Sequence, residues 1–99
     1  MNQYFLSNEA ESDIDDIISY IANKNPASAL KFLDSLYAAM SMLADNSMIG
    51  HKRDDITNFP IRFWTFKWHY VIIYKDVEPI EIVRVLSGYR DIATLVNIK

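Results

Sequence analysis

The sequence predicts an α+β fold in one domain spanning residues 1–99: an N-terminal helical hairpin packed on a small antiparallel sheet of three to four strands. Three observations carry this. Apolar residues recur at three- and four-residue steps before Gly50, and give way after it to aromatic and β-branched runs. An Asn25-Pro26 pair interrupts the helical half after its first stripe. With 99 residues, 51% of them hydrophobic, the chain can build one core but not two.

The first helix lies between Asn8 and Asn23, where Ile14, Ile17, Ile18 and Ile21 form the apolar stripe of an amphipathic helix. Ser7 suits its N-cap, and Glu9 and Glu11 fall in the first turn, where carboxylates meet the positive end of the helix dipole. Asp13, Asp15 and Asp16 read as its solvated face. Asn25 then caps a second helix with Pro26 at its first position, so the two helices are antiparallel. Leu30, Leu33, Leu36, Tyr37, Met40 and Leu43 carry that helix to Asp45-Asn46.

Arg62–Phe66, His69–Tyr74 and Ile80–Leu86 read as three strands. Short connections, at Lys67-Trp68 and over Asp76–Pro79, imply a consecutive antiparallel meander. Val71, Ile72 and Ile73 lack polar alternation, as do Val83, Val85 and Leu86, the mark of strands covered on both faces. Gln3–Leu6 could add an edge strand, and Asp91–Ile98 a short terminal helix or tail.

The chain has no cysteine, which removes disulfide scaffolds, thiolate metal sites and cysteine nucleophiles. No basic, apolar leader and no spanning segment is seen, and a cytoplasmic setting without membrane attachment is expected. The net charge of −3 and pI of about 5.2 oppose nucleic-acid affinity through bulk charge, and no sequence-specific nucleic-acid binding is expected. The charge is divided, however. Residues 1–50 hold seven acids against two bases, while residues 51–99 hold six acids against eight bases, including all four arginines. An acidic or anionic partner would therefore meet the second half.

His51 and His69 are the only histidines, and no carboxylate stands at metal-ligand spacing from either, so neither metal nor cofactor is expected. With two glycines there is no phosphate-cradling loop and no nucleophile-elbow motif. The suggestive residues are basic and aromatic ones near the sheet: Arg62, Trp64, Lys67, Trp68, Arg84, Tyr89 and Arg90. Against that, Trp64 and Phe66 could fill the core while the arginines pair with Asp54, Asp55, Asp91 and Glu81.

Taken in order, Leu6–Ala10, Asp13–Ile21, Ala29–Leu43, Gly50 with Arg53, Arg62, Tyr70–Tyr74, Ile82–Leu86 and Gly88-Tyr89-Arg90-Asp91 resemble the ParE branch of the RelE/ParE superfamily of bacterial type II toxins. The resemblance implies a toxin neutralised by a ParD-like antitoxin, with which it can form a hetero-oligomer, and directed at DNA gyrase as a binder with no catalytic residues. Under that resemblance Arg84, Tyr89, Arg90 and Trp68 are expected to bind the target, and Ile14, Ile18, Trp64 and Arg62 the antitoxin. The RelE branch offers the alternative of a ribosome-dependent mRNA interferase, for which Arg62, Arg84 and Tyr89 would be catalytic. Ser87 stands where many relatives carry histidine, and a hydroxyl cannot replace imidazole as a base near neutral pH. An inactive toxin that retains only antitoxin binding is the third reading.

Overall fold

The computed structural model of the chain describes residues 3–52, 60–67 and 69–88. In chain order its elements are β1 (Tyr4–Leu6), α1 (Asn8–Lys24), α2 (Pro26–Asp45), β2 (Ile61–Phe66), β3 (Tyr70–Lys75) and β4 (Ile80–Ser87). The sheet runs β1-β4-β3-β2. The three consecutive strands form the antiparallel meander that their short turns dictate. β1 departs from an all-antiparallel sheet: it pairs in parallel with β4, with Tyr4 opposite Ile80 and Leu6 opposite Ile82, so the sheet is mixed. A parallel pair needs a long crossover, and the helical hairpin and two strands supply it.

Both helix starts follow their capping residues. Ser7 Oγ accepts from the Ala10 N–H at 3.0 Å, and Asn25 Oδ1 accepts from the Ser28 N–H at 3.1 Å, with Pro26 opening α2. The inner face of α2 follows the sequence reading at Leu36, Met40 and Leu43 and departs from it at Leu30 and Tyr37. Ala29, Phe32, Leu36, Met40 and Leu43 are buried, whereas Leu30 and Tyr37 are exposed. Each of the two stands beside a buried residue, Ala29 next to Leu30 and Leu36 next to Tyr37, so the apolar period alone does not tell the neighbours apart.

The sheet is apolar on both faces. Ile72, Tyr74, Ile80, Ile82, Val85 and Phe66 join the helices in the main core, while Ile61, Phe63, Val71, Ile73 and Leu86 form a second cluster. The missing alternation in Val71–Ile73 reflects this two-sided burial. In β4 a register shift opposite Ile73 and Tyr74 adds to it: Ile82 and Val85, three apart, both face the main core.

β1 ends at Leu6, so beyond Ile82 the β1 side of β4 has no strand beside it. Side chains of the first helix take that place. Ser7 Oγ donates to the Val83 carbonyl at 2.7 Å, and the Asp13 carboxylate accepts from the Val85 N–H at 3.0 Å. The same carboxylate takes both Nε and Nη2 of Arg84 at 2.8 Å. Asp13 is therefore not part of a solvated face; only Asp15 and Asp16 of the three acids are exposed.

Replacing Asp13 with alanine leaves the Val85 N–H and the Arg84 guanidinium without their acceptor, and is expected to destabilise the fold by about 2–3 kcal/mol. Urea denaturation checks this. A loss near ~0.5 kcal/mol, the size of an exposed ion pair, would contradict it.

Candidate functional site

Arg62 and Arg84, both singled out from sequence, occupy β2 and β4 with β3 between them. Arg62 faces Tyr74 across the ladder and Arg84 faces Ile73, so the two arginines stand at nearly one level of the sheet. They do not converge on a common site. Each is engaged by a carboxylate from a different segment, and neither pairs as the sequence suggests: Arg62 takes Asp76, Arg84 takes Asp13, and Glu81 pairs instead with Lys75 at 3.4 Å.

Arg62 is 9% exposed and is the centre of a buried polar hub. Its Nε donates to Asp76 at 2.6 Å, and its Nη1 donates to the main-chain carbonyls of Met48 and Gly50 at 3.2 and 2.8 Å. Tyr74 completes the hub from β3: its hydroxyl donates to the Ser47 carbonyl at 2.8 Å and accepts from the Gly50 N–H at 2.9 Å. Gly50 must be glycine here, since a Cβ would lie 2.5 Å from Tyr74 Oη and 2.9 Å from Arg62 Cβ. The segment after α2 is thus clamped to the sheet, and His51 continues it as a bridge to Phe63 with both bonds at 2.8 Å.

The Arg84 pair is bidentate and more open, with the arginine side chain 27% exposed against 14% for Asp13. Donation to the Asp13 carboxylate holds the guanidinium above its ordinary pKa. Of the other sequence-derived site residues, Trp68, Tyr89 and Arg90 lie outside the described residues, as do Arg53–Phe59 and the Asp91–Ile98 tail. Ile18 and Trp64 are partly buried against the core. Of the residues expected to meet an antitoxin, Ile14 is 6% exposed inside the main core and Arg62 is enclosed in its hub. His69 and Ser87 are exposed at the end of the sheet where the β2–β3 turn meets the end of β4, with the Gly88 N–H donating to the His69 carbonyl.

Exposed apolar side chains gather elsewhere. Phe5 on the edge strand and Tyr20, Leu30 and Tyr37 on the helices are between 45% and 67% exposed. Near the hairpin turn, Lys24 Nζ lies 5.0 Å from the Tyr20 ring centroid. Among the described residues, no group of three or more His, Cys, Asp or Glu side chains is arranged to hold a metal, and no helix is long and apolar enough to cross a membrane.

Sequence reasoning missed Asp13, Asp76 and Tyr74 as partners. Asp13 carried a usable signal, for it stands three residues after Ala10 and four before Ile17, on the inward stripe of α1. Tyr74 carried a weaker one, a hydroxyl at the end of an otherwise aliphatic buried run, which needs a partner when enclosed. Asp76 stands in a polar turn and gave none.

A sequence profile described as "ParE toxin of type II toxin-antitoxin system, parDE" matches residues 4–92. Among solved structures, the chain is similar to one titled "Chromosomal ParDE TA system from P. aeruginosa", with a TM-score of 0.73 and 21% identity over 90% of this chain and 98% of that one. That likeness is one of fold. No curated protein matches the sequence.

Two predictions follow from the hub. Gly50→Ala is expected to cost about 1–3 kcal/mol in urea denaturation, because both neighbours of the added methyl are themselves buried and bonded. An unchanged midpoint would show that the segment gives way freely. The second concerns alkali. Burial raises the Tyr74 hydroxyl above its ordinary value of 10.0, helped by Asp76 and opposed by the Gly50 N–H and Arg62; burial likewise raises Tyr4 and Tyr70. A folded pKa above the unfolded one gives stability that is complete below the unfolded value and is lost as pH rises through the folded one. Urea midpoints should therefore fall as pH is raised past the ordinary tyrosine value of 10.0, and a flat profile there would contradict the assignment.

Proposed function

This chain belongs to the ParE toxin family of type II toxin–antitoxin systems, and from that premise we propose that it is held inactive by a cognate ParD-like antitoxin and, when released, traps DNA gyrase on cleaved DNA. The observation that carries the choice of target is the commitment of both sheet arginines. A ribonuclease must present free cationic groups to the charge that develops on the scissile phosphate. Arg62 is enclosed by Asp76 and two carbonyls, and Arg84 is held bidentately by Asp13. Arginines used in this way organise the fold rather than a phosphate, which favours a binder over a nuclease. The exposed Ser87, where many relatives carry histidine, favours it too.

In this reading, the target-binding residues are Trp68, Tyr89, Arg90 and the partly exposed Arg84, whose planar guanidinium is fixed in direction by Asp13. The antitoxin covers the apolar side chains left open on the helical hairpin and edge strand: Tyr20, Leu30, Tyr37 and Phe5, beside Ile18 and Trp64. An amphipathic segment would bury these residues in one stroke.

The test is ATP-dependent supercoiling of relaxed plasmid by purified gyrase, titrated with the protein alone and then with its antitoxin restored. Inhibition with accumulation of cleaved DNA, reversed by the antitoxin, is the expected result. Undiminished supercoiling at saturating excess of folded protein would overturn the gyrase assignment. In that event, cuts in ribosome-bound mRNA would identify an interferase, and their absence together with antitoxin binding an inactive toxin.

A further inference from the structure

The chain carries four methionines, Met1, Met40, Met42 and Met48, and among the three that lie in the described residues one is placed unlike the other two. Met40 is fully buried and Met42 is packed against the core, whereas Met48 is 68% exposed. Exposure alone would leave its thioether free to turn. Here the sulfur is directed, because Arg62 Nη2 donates to Met48 Sδ at 3.4 Å while Nη1 of the same guanidinium donates to the Met48 carbonyl at 3.2 Å. Arg62 is itself fixed by Asp76 and by the Gly50 carbonyl, so it cannot follow a rotating side chain.

We propose that Met48 is a modification site, oxidised by hydroperoxides to one sulfoxide epimer in preference to the other and reducible again by the reductase specific for that epimer. A thioether sulfur has two lone pairs, and oxygen added to one or the other gives opposite configurations at sulfur. The donor from Arg62 occupies one pair, and the second is left to solvent. In the reaction the open lone pair attacks the peroxide oxygen that carries the proton, the O–O bond breaks, and that proton passes to the distal oxygen, which leaves as water from hydrogen peroxide or as an alcohol from an organic hydroperoxide. The sulfur gains one oxygen atom and is oxidised by two electrons while the peroxide is reduced. Rotation about Cγ–Sδ then brings the new oxygen, a much stronger acceptor than sulfur, within reach of the same guanidinium. The product is thereby accommodated by the hub that directed its formation.

The experiment exposes the folded protein to dilute hydrogen peroxide and locates the added oxygen by tandem mass spectrometry, which separates positions 40, 42 and 48. After digestion, each of the two epimer-specific methionine sulfoxide reductases is applied to the peptides. Met48 is expected to react about tenfold or more faster than Met40 and ahead of Met42, with one reductase removing most of its oxygen. Protein oxidised in denaturant should give both epimers equally, and so should Arg62→Gln. Met48→Leu should lose the rapid phase. Equal epimers from the folded wild type, or Met42 reacting as fast as Met48, would overturn the proposal, and the wild-type measurement decides it even if Arg62→Gln does not fold.

Discussion

The carboxylate of Asp13 makes three contacts that no other group in the chain replaces, and the architecture depends on them. One is with the Val85 N–H of β4; the other two are with Nε and Nη2 of Arg84. They matter because β1 is only three residues long and leaves the outer side of β4 uncovered beyond Ile82. A main-chain donor there, deep between helix and sheet, needs an acceptor. A helix cannot extend a β ladder with its own backbone, so it offers side chains: Ser7 for the Val83 carbonyl and Asp13 for the Val85 N–H. Because the carboxylate would be costly to enclose alone, the neighbouring arginine of β4 neutralises it. Helix docking, strand termination and the fixed direction of Arg84 are one arrangement.

The second arginine solves a similar problem at the other side of the sheet. The chain leaving α2 carries carbonyls at Ser47, Met48 and Gly50 that no regular element satisfies, and Tyr74 and Arg62 reach across to take them. Both hubs put a residue type associated with anion recognition to structural use. That is why a cluster of basic residues in the second half of the sequence does not by itself announce a phosphate site. Among the described residues Phe5, Tyr20, Leu30 and Tyr37 are open to solvent.

Much of this was legible beforehand, and the reasons differ by element. Ser7, Asn25 and Pro26 determine the helix starts through local chemistry alone, which is why both starts coincide with the caps read from the sequence. The strands were legible because β-branched and aromatic runs lie between polar turns. The inner face of α2 was legible at Leu36, Met40 and Leu43 but not at Leu30 and Tyr37, which are as apolar as the buried residues beside them. The sense of β1 was hidden because three residues carry no information about which strand they join. Among site residues, Arg62 and Arg84 were found but their partners were not. Ion pairing between segments that are 14 and 71 positions apart is a property of the assembled sheet, and spacing along the chain does not encode it.

The parallel seating of β1 against β4 has a consequence for when the molecule can exist at all. Ser7 and Val83 are 76 positions apart, and β4 lies between β1 and β3 in the sheet although it comes last in sequence among the described strands. Until β4 is made, β1 has no neighbour, α1 has no place to set Ser7 and Asp13, and β3 has one open edge. Closing so long a loop is entropically unfavourable and is offset only when many contacts form together. During synthesis the residues ahead of β4 therefore remain an unfinished sheet, and the fold closes only once β4 is available. The fold is thereby reached in one cooperative event that the segment before β4 cannot complete alone.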